Sequence, residues 1–154
     1  MSEQTEINVS FTAKVMAAVR AIETQRLDAL FADPLAAQLA GEEAIKAAIL
    51  RLEEDEKQGR PFAVVRTRFF DNFLNDCSQH IRQIVLVGSG MDTRAFRLNW
   101  QPGTHVYEID QPDVLHYKEA VLSGIIPNCT HHLICADLKE SIWCQLLIER
   151  GYKP

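Results

Sequence analysis

IVLVGSGMDTRAFRLNWQPGTHVYEID, residues 84–110, reads as a strand, a glycine turn, a helix start and a second strand closed by an acid. The apolar run from Ile84 to Val87 feeds Gly88-Ser89-Gly90, where missing side chains let the backbone turn sharply and lie against a flat ligand. Asp110 follows twenty residues after Gly90, at the end of the second apolar run. A carboxylate so placed can accept two hydrogen bonds from ribose hydroxyls, as in nucleotide-type α/β folds. The segment predicts a site for a ribose-bearing ligand.

The pattern continues downstream. Strands are expected at 83–87, 104–109 and 131–135, and helices at 91–96, 112–123 and 139–150. This alternation implies parallel strands joined by right-handed crossovers, with helices covering the sheet. Gly88, Asp110 and Asp137 then stand at the carboxyl ends of three successive strands, the edge along which open α/β sheets bind ligands.

Residues 10–60 upstream read as helical. Phe11, Val15, Ala18, Val19 and Ile22 recur at helical spacing, leaving Lys14, Arg20 and Glu23 to face water. Asp33-Pro34 is a helix-start signal, and Gly41 is expected to end that helix. Ile45, Ala48, Ile49 and Leu52 mark a further amphipathic segment, which runs into a solvated charge cluster at 53–57. A helix from Pro61 to Cys77 carries Phe62, Val65, Phe69 and Phe73 on one side, and that aromatic stripe is expected to be core.

Composition bounds the function. The 154 residues suit one domain, 47% of them are hydrophobic and 24% charged, and the net charge is -5. A mildly acidic chain lacks the basic patches that nucleic-acid or acidic-membrane binding needs. The opening MSEQTEINVS does not look like a leader, and no run approaches a membrane span, so a cytoplasmic location is expected. Cys77, Cys129, Cys135 and Cys144 are scattered through apolar context and read as buried free thiols.

A dinucleotide dehydrogenase would carry G-x-G-x-x-G, but Thr93 occupies the third glycine position. A phosphate-loop lysine followed by Ser or Thr is also missing. The remaining features suit a nucleoside without phosphates, such as S-adenosylmethionine.

Five stretches in order carry a family resemblance: RAIETQRLDALFADPLAAQLAG at 20–41, VRTRFFDNFL at 65–74, IVLVGSGMDTRAFRL at 84–98, VYEIDQPDVL at 106–115 and CADLKES at 135–141. Together they resemble the leucine carboxyl methyltransferase family of S-adenosylmethionine-dependent O-methyltransferases. The closest likeness is to its bacterial branch, associated with secondary metabolism. The resemblance implies a class I methyltransferase fold, an α/β Rossmann-like parallel sheet with a helical N-terminal cap at 1–80 and a cofactor-binding portion at 81–154. The family continues into a fourth strand with an acidic E-G-L-L-type motif, so the chain is expected to be C-terminally incomplete, with an unpaired sheet edge and much of the acceptor pocket lacking.

Carried over by position, the resemblance gives Arg66 the methionine carboxylate of the cofactor. The alternative is a surface arginine, and Arg68 competes for the assignment. Gly88 and Gly90 would form the turn against the cofactor, and Asp110 would accept the ribose hydroxyls unless it caps the next helix. Asp137 and Leu138 match the family's adenine contacts, although Asp137 could instead cap a helix starting near Lys139. Asp92 reads better as an N-cap than as a ligand residue. Glu108 either helps the ribose site or ends its strand.

Cys129, His131, His132 and Cys135 are metal-ligand types, but alternation on a strand turns His132 away from the others, and no metal site is expected. No catalytic residue is assigned: a carboxylate acceptor is already ionised and needs no general base, whereas a hydroxyl would. The expected partner is a small-molecule or protein-carboxylate methyl acceptor. The alternatives are a catalytically silent cofactor-binding or interaction module and, less favoured, an NAD-type dehydrogenase domain.

Overall fold

The computed structural model describes residues 10–59 and 61–154. The readings made on MSEQTEINV and on the first nine residues of the cap lie outside that range. Four helices come first: α1 (Phe11–Thr24), α2 (Ala36–Ala40), α3 (Glu42–Lys57) and α4 (Phe62–Cys77). The alternating part follows as β1 (Gln83–Val87), α5 (Arg94–Arg97), β2 (His105–Asp110), α6 (Pro112–Val121), β3 (Thr130–Cys135) and α7 (Ile142–Glu149). The strands form one parallel sheet in the order β1-β2-β3, with Val87 opposite Ile109 and Asp110 opposite Cys135. The result is a Rossmann-like α/β layer under a helical cap. Among the described residues both outer strands have a free edge, where the sequence led us to expect one.

Small side chains hold the cap together. Ala17, Ala18, Ala36, Ala40, Ala44 and Ala48 are buried where α1, α2 and α3 meet, so these helices approach closely. Their cluster also takes in Met91, Val114 and Leu122, joining the cap to the glycine turn and α6. Gly41 ends α2 at φ 76°, a backbone state in which an L side chain would be strained.

The aromatic stripe on α4 is not core. Phe62, Phe69 and Phe73 are 65%, 61% and 52% exposed, while Ala63, Val64, Thr67, Asp71 and Leu74 face inward. The inward face is polar at two positions because it meets arginines of α5, which periodicity of apolar residues cannot reveal. Arg20 and Glu23 likewise do not face water. Glu23 is buried and accepts from the Leu30 amide at 2.7 Å, and Arg20 is engaged by Asp33. The cysteines are free, but three are half-buried and Cys144 is exposed, so full burial is corrected. The expected helix at 91–96 shrinks to Arg94–Arg97 because the turn extends through Thr93. No helix among the described residues is long and apolar enough to cross a membrane.

Candidate functional site

A cleft of about 580 Å³ opens at the carboxyl end of β1, between the glycine turn, α1 and α4. Its walls include Arg66, Thr67 and Phe70 from α4, Val85 to Gly90 from β1 and the turn, and Asp110 from the end of β2. Gly88 and Gly90 have φ of +67° and +52°. A Cβ on Gly90 would stand 3.4 Å from that of Ala13, an ordinary contact, so it is the backbone conformation that disfavours a side chain there.

Asp110 organises the turn. Its Oδ2 accepts from the Gly90 amide at 2.6 Å and its Oδ1 from the Gln111 amide at 2.7 Å. The Gly88 and Ser89 amides both donate to the Ile109 carbonyl, at 2.8 and 3.2 Å. Each carboxylate oxygen has a second lone pair, so the capping and ligand-accepting roles of Asp110 are compatible. The Ser89 hydroxyl lines the same cleft, buried and without a hydrogen-bond partner among the described residues. Such an atom is satisfied by a ligand or by water.

Arg66 and Arg68 separate clearly. Arg66 reaches the cleft, its guanidinium carbon 5.5 Å from the Phe62 ring centroid, and it enters no ion pair among the described residues. Arg68 is committed elsewhere, donating to the Leu30 carbonyl at 2.9 Å. Asp137 and Leu138 follow β3 outside the cleft lining. Asp137 Oδ1 accepts from the Lys139 amide at 2.9 Å and closes a turn, since α7 starts only at Ile142. Leu138 lies close to the turn, its Cδ1 3.8 Å from where a Gly88 Cβ would be. The cleft therefore gathers Arg66, Gly88, Gly90 and Asp110, with Leu138 behind the turn.

An ionic network that the sequence did not disclose runs from the cleft wall, where Arg20, Asp92 and Arg94 stand, into the protein. Asp33 Oδ2 accepts from Arg20 Nε at 2.8 Å and from the Thr93 hydroxyl at 2.6 Å. Arg97 donates two parallel bonds to Asp71, at 2.7 and 2.8 Å, and Arg94 adds a third at 2.8 Å. Asp92 pairs with Arg94 and accepts from its amide at 2.8 Å, but the N-cap of α5 is Thr93, so Asp92 holds the helix start from one residue before the cap rather than as the N-cap itself. Burial works to raise the Asp92 carboxyl, but the charges of Arg94, Lys118 and Arg20 outweigh it and hold it below its usual range. The network fixes the segment 91–94 against α1 and α4.

The profile described as leucine carboxyl methyltransferase matches residues 13–154. The chain belongs to the leucine carboxyl methyltransferase family. It is 41% identical over 164 residues to a protein of Mycolicibacterium gilvum (strain PYR-GCK), a match covering 96% of this chain and 54% of that protein. A protein of Parafrankia sp. (strain EAN1pec) is 37% identical over 164 residues, covering 99% and 52%. A third, from Saccharopolyspora erythraea, is 38% identical over 167 residues, covering 99% and 56%. All three bear the name "Putative S-adenosyl-L-methionine-dependent methyltransferase". The chain spans about half the length of these curated relatives.

In this member of the family, Glu108 does not face the cleft. It is fully buried on the opposite side of β2, paired with Lys118 of α6 and 3.0 Å from His131 Nε2. Burial pushes its carboxyl up, yet Lys118 and the His131 hydrogen bond prevail and hold it low. The strand alternation also separates the histidines: His131 meets Glu108, while His132 stacks on Tyr107 on the other face, ring centroids 4.3 Å apart. The signal for Glu108 was an acid flanked by Tyr107 and Ile109 in the middle of β2, with Lys118 on the helix that follows the strand.

Proposed function

We propose that the cleft binds S-adenosylmethionine and that the chain serves methyl transfer to a carboxylate or hydroxyl oxygen, as the N-terminal, cofactor-binding portion of an O-methyltransferase. The observation that carries this is the presence, in one cleft, of a carboxylate at the end of β2 with lone pairs to spare and a guanidinium on α4 that has no ion-pair partner among the described residues. Asp110 would accept the ribose hydroxyls, and Arg66 would match the carboxylate of the methionine moiety as a fork. Gly88 and Gly90 leave room for the ligand against the backbone, and the orphaned Ser89 hydroxyl supplies another polar contact. Asp137 and Leu138 would meet the adenine beyond the turn, a role that rests on the family resemblance.

S-adenosylmethionine supplies an electrophilic methyl group on a sulfonium. The protein's task is to hold the donor in line with an acceptor and keep water out. A carboxylate acceptor arrives ionised and requires no base. In this reading residues 81–154 carry the cofactor portion and residues 1–80 cap it, in a cytoplasmic enzyme of secondary metabolism. Acceptors of small-molecule or protein-carboxylate type both fit the chemistry. The alternative reading is a silent cofactor-binding module.

Calorimetric titration with S-adenosylhomocysteine, beside Asp110→Ala, tests the site. Saturable one-site binding that weakens by about 1–3 kcal/mol in the variant is the expected result. No binding by the folded chain would overturn cofactor binding by this chain. Binding without methyl transfer to any acceptor offered would favour the silent module.

A further inference from the structure

Between the end of α6 and the start of β3 the chain turns at Gly124, whose φ is +83°. Its return is pinned to α5. The Asn128 side-chain amide donates to the carbonyls of Phe96 at 2.6 Å and Leu98 at 3.2 Å, and the Asn128 backbone amide to the Ala95 carbonyl at 2.8 Å. Between this loop, α5, α6 and β3 lies a cavity of about 320 Å³, at the lower end of the range for small-molecule sites. It shares no lining residue with the cleft at the glycine turn. Phe96, Leu122, Ile125, Pro127 and Leu133 make its wall largely apolar. Lys118 and His131 are set into that wall, both bonded to Glu108 beneath it.

Glu108 fixes the tautomer of that imidazole. Its Oε2 takes the Lys118 ammonium, and its Oε1 lies 3.0 Å from His131 Nε2. A carboxylate facing an ammonium is ionised and can only accept, so Nε2 donates, and in the neutral ring Nδ1 keeps its lone pair. His131 Nδ1 meets no donor among the described residues. Phe96 stands edge-on to the ring, centroids 5.3 Å apart, so the imidazole is held by an aromatic neighbour as well as by Glu108. The cavity therefore offers apolar surface and one fixed acceptor. Charge selects further: Lys118 and Glu108 neutralise each other, so a charged ligand would leave water for an apolar wall without a free counter-charge.

We propose that this cavity is a second small-molecule site, taking a neutral, ring-sized apolar molecule whose single hydroxyl or N–H group donates to His131 Nδ1. Apolar burial against Phe96, Leu122 and Leu133 provides the attraction, and the hydrogen bond provides orientation and selectivity. One short helix touches both sites, since α5 places Arg94 on the glycine-turn cleft and Phe96 on this cavity. The inference rests on the cavity and its histidine, not on the cofactor reading.

Two nuclear magnetic resonance measurements on the 154-residue chain test this. The ring nitrogens of His131, read by long-range proton–nitrogen correlation at about pH 8, where histidine is ordinarily neutral, should show Nε2 protonated and Nδ1 bare. The opposite tautomer overturns the proposal. Phenol is then titrated beside anisole, which has the same ring and no donor. Saturable shifts at His131 Nδ1 and at the Phe96 and Leu133 amides are expected, with phenol bound at least about fivefold more tightly, the factor that one neutral hydrogen bond supplies. In His131→Phe, which leaves the Lys118–Glu108 pair in place, that preference should vanish. If that variant does not fold, the tautomer and the parent titrations decide the matter. Equal affinities in the parent, a preference that survives in His131→Phe, or no saturation by phenol at tens of millimolar each overturn the proposal. So do phenol shifts confined to Gly88 and Gly90, which would place it in the other cleft. Failure of S-adenosylhomocysteine binding would leave these outcomes unchanged.

Discussion

The Thr93 hydroxyl donates to Asp33 Oδ2 at 2.6 Å, joining residues sixty positions apart, and both side chains are buried. Thr93 thus does what a third glycine could not. Instead of letting helix and strand close up behind a pyrophosphate, it ties the turn to the loop before α2. Arg20 bonds the same Asp33 oxygen and also the Met91 carbonyl, so the cap grips the turn at two points. The glycine turn is held from behind as well as by Asp110.

Thr93→Val should therefore cost about 1–3 kcal/mol, because a buried acceptor loses a donor while side-chain volume is nearly kept. Thr93→Ser should recover much of that loss. Urea denaturation followed by circular dichroism measures both. A Thr93→Val protein as stable as the parent would mean that Arg20, Arg97 and the Leu35 amide suffice for Asp33.

The buried pair Glu108–Lys118 predicts a contrast between single and double changes. Removing either partner alone leaves an uncompensated buried charge and should cost about 3–5 kcal/mol. Glu108→Met combined with Lys118→Met should cost less, since neither buried charge is then left alone and only the His131 hydrogen bond is lost. Chemical denaturation of the three variants distinguishes the outcomes. Additive losses in the double variant would show that the ions themselves, rather than their pairing, are needed.

The same pair sets a pH dependence. Glu108 is held below its unfolded value, so the folded state binds fewer protons there. Its contribution is fully present above about pH 4.3, the ordinary glutamate value, and is lost as pH falls through the lower folded value. The denaturation midpoint of the parent should fall more steeply below about pH 4 than that of the Glu108→Met, Lys118→Met protein. Parallel curves would remove Glu108 from the acid response.

Much of the fold was legible because the strand period and the glycine turn are local signals. Gln83–Val87 matches its expected span, β2 shifts by one residue, and β3 gains one residue at its start. The site was legible at Gly88, Gly90 and Asp110 for the same reason: turn and acid are tied by a single crossover. What the sequence hid depends on long-range pairing. Asp33 looked like a simple helix start, Asp71 drew no attention, and Arg20 and Glu23 looked solvent-facing, since charge alone does not reveal a partner dozens of residues away. The α4 stripe failed differently. Its period was read correctly, but periodicity says only that one face is apolar, not which surface covers it.

That distinction can be measured on α4. Phe69→Ala should change the stability of this chain by no more than about 0.5 kcal/mol, as at an ordinary surface position. Leu74→Ala, on the buried face of the same helix, should cost about 2–5 kcal/mol. Thermal or urea unfolding of the pair suffices. A large loss at Phe69 would mean that the stripe is covered within this chain in solution.

The last prediction separates two arginines two positions apart. Arg66 has no ion-pair partner among the described residues and lines the cleft, whereas Arg68 donates to the Leu30 carbonyl and braces the loop after α1. Arg66→Ala should weaken S-adenosylhomocysteine binding by about 1.5–3 kcal/mol, the range for a hydrogen bond to a charged group, with little effect on unfolding. Arg66→Lys should restore only part of it, because an ammonium keeps the charge but not the planar fork. Arg68→Ala should do the reverse, leaving affinity within about twofold while lowering stability by about 0.5–1.5 kcal/mol. Calorimetric titration and urea denaturation on the same three proteins read both axes. If Arg68→Ala abolished binding and Arg66→Ala did not, the carboxylate contact would belong to Arg68, and α4 would have to rotate to deliver it.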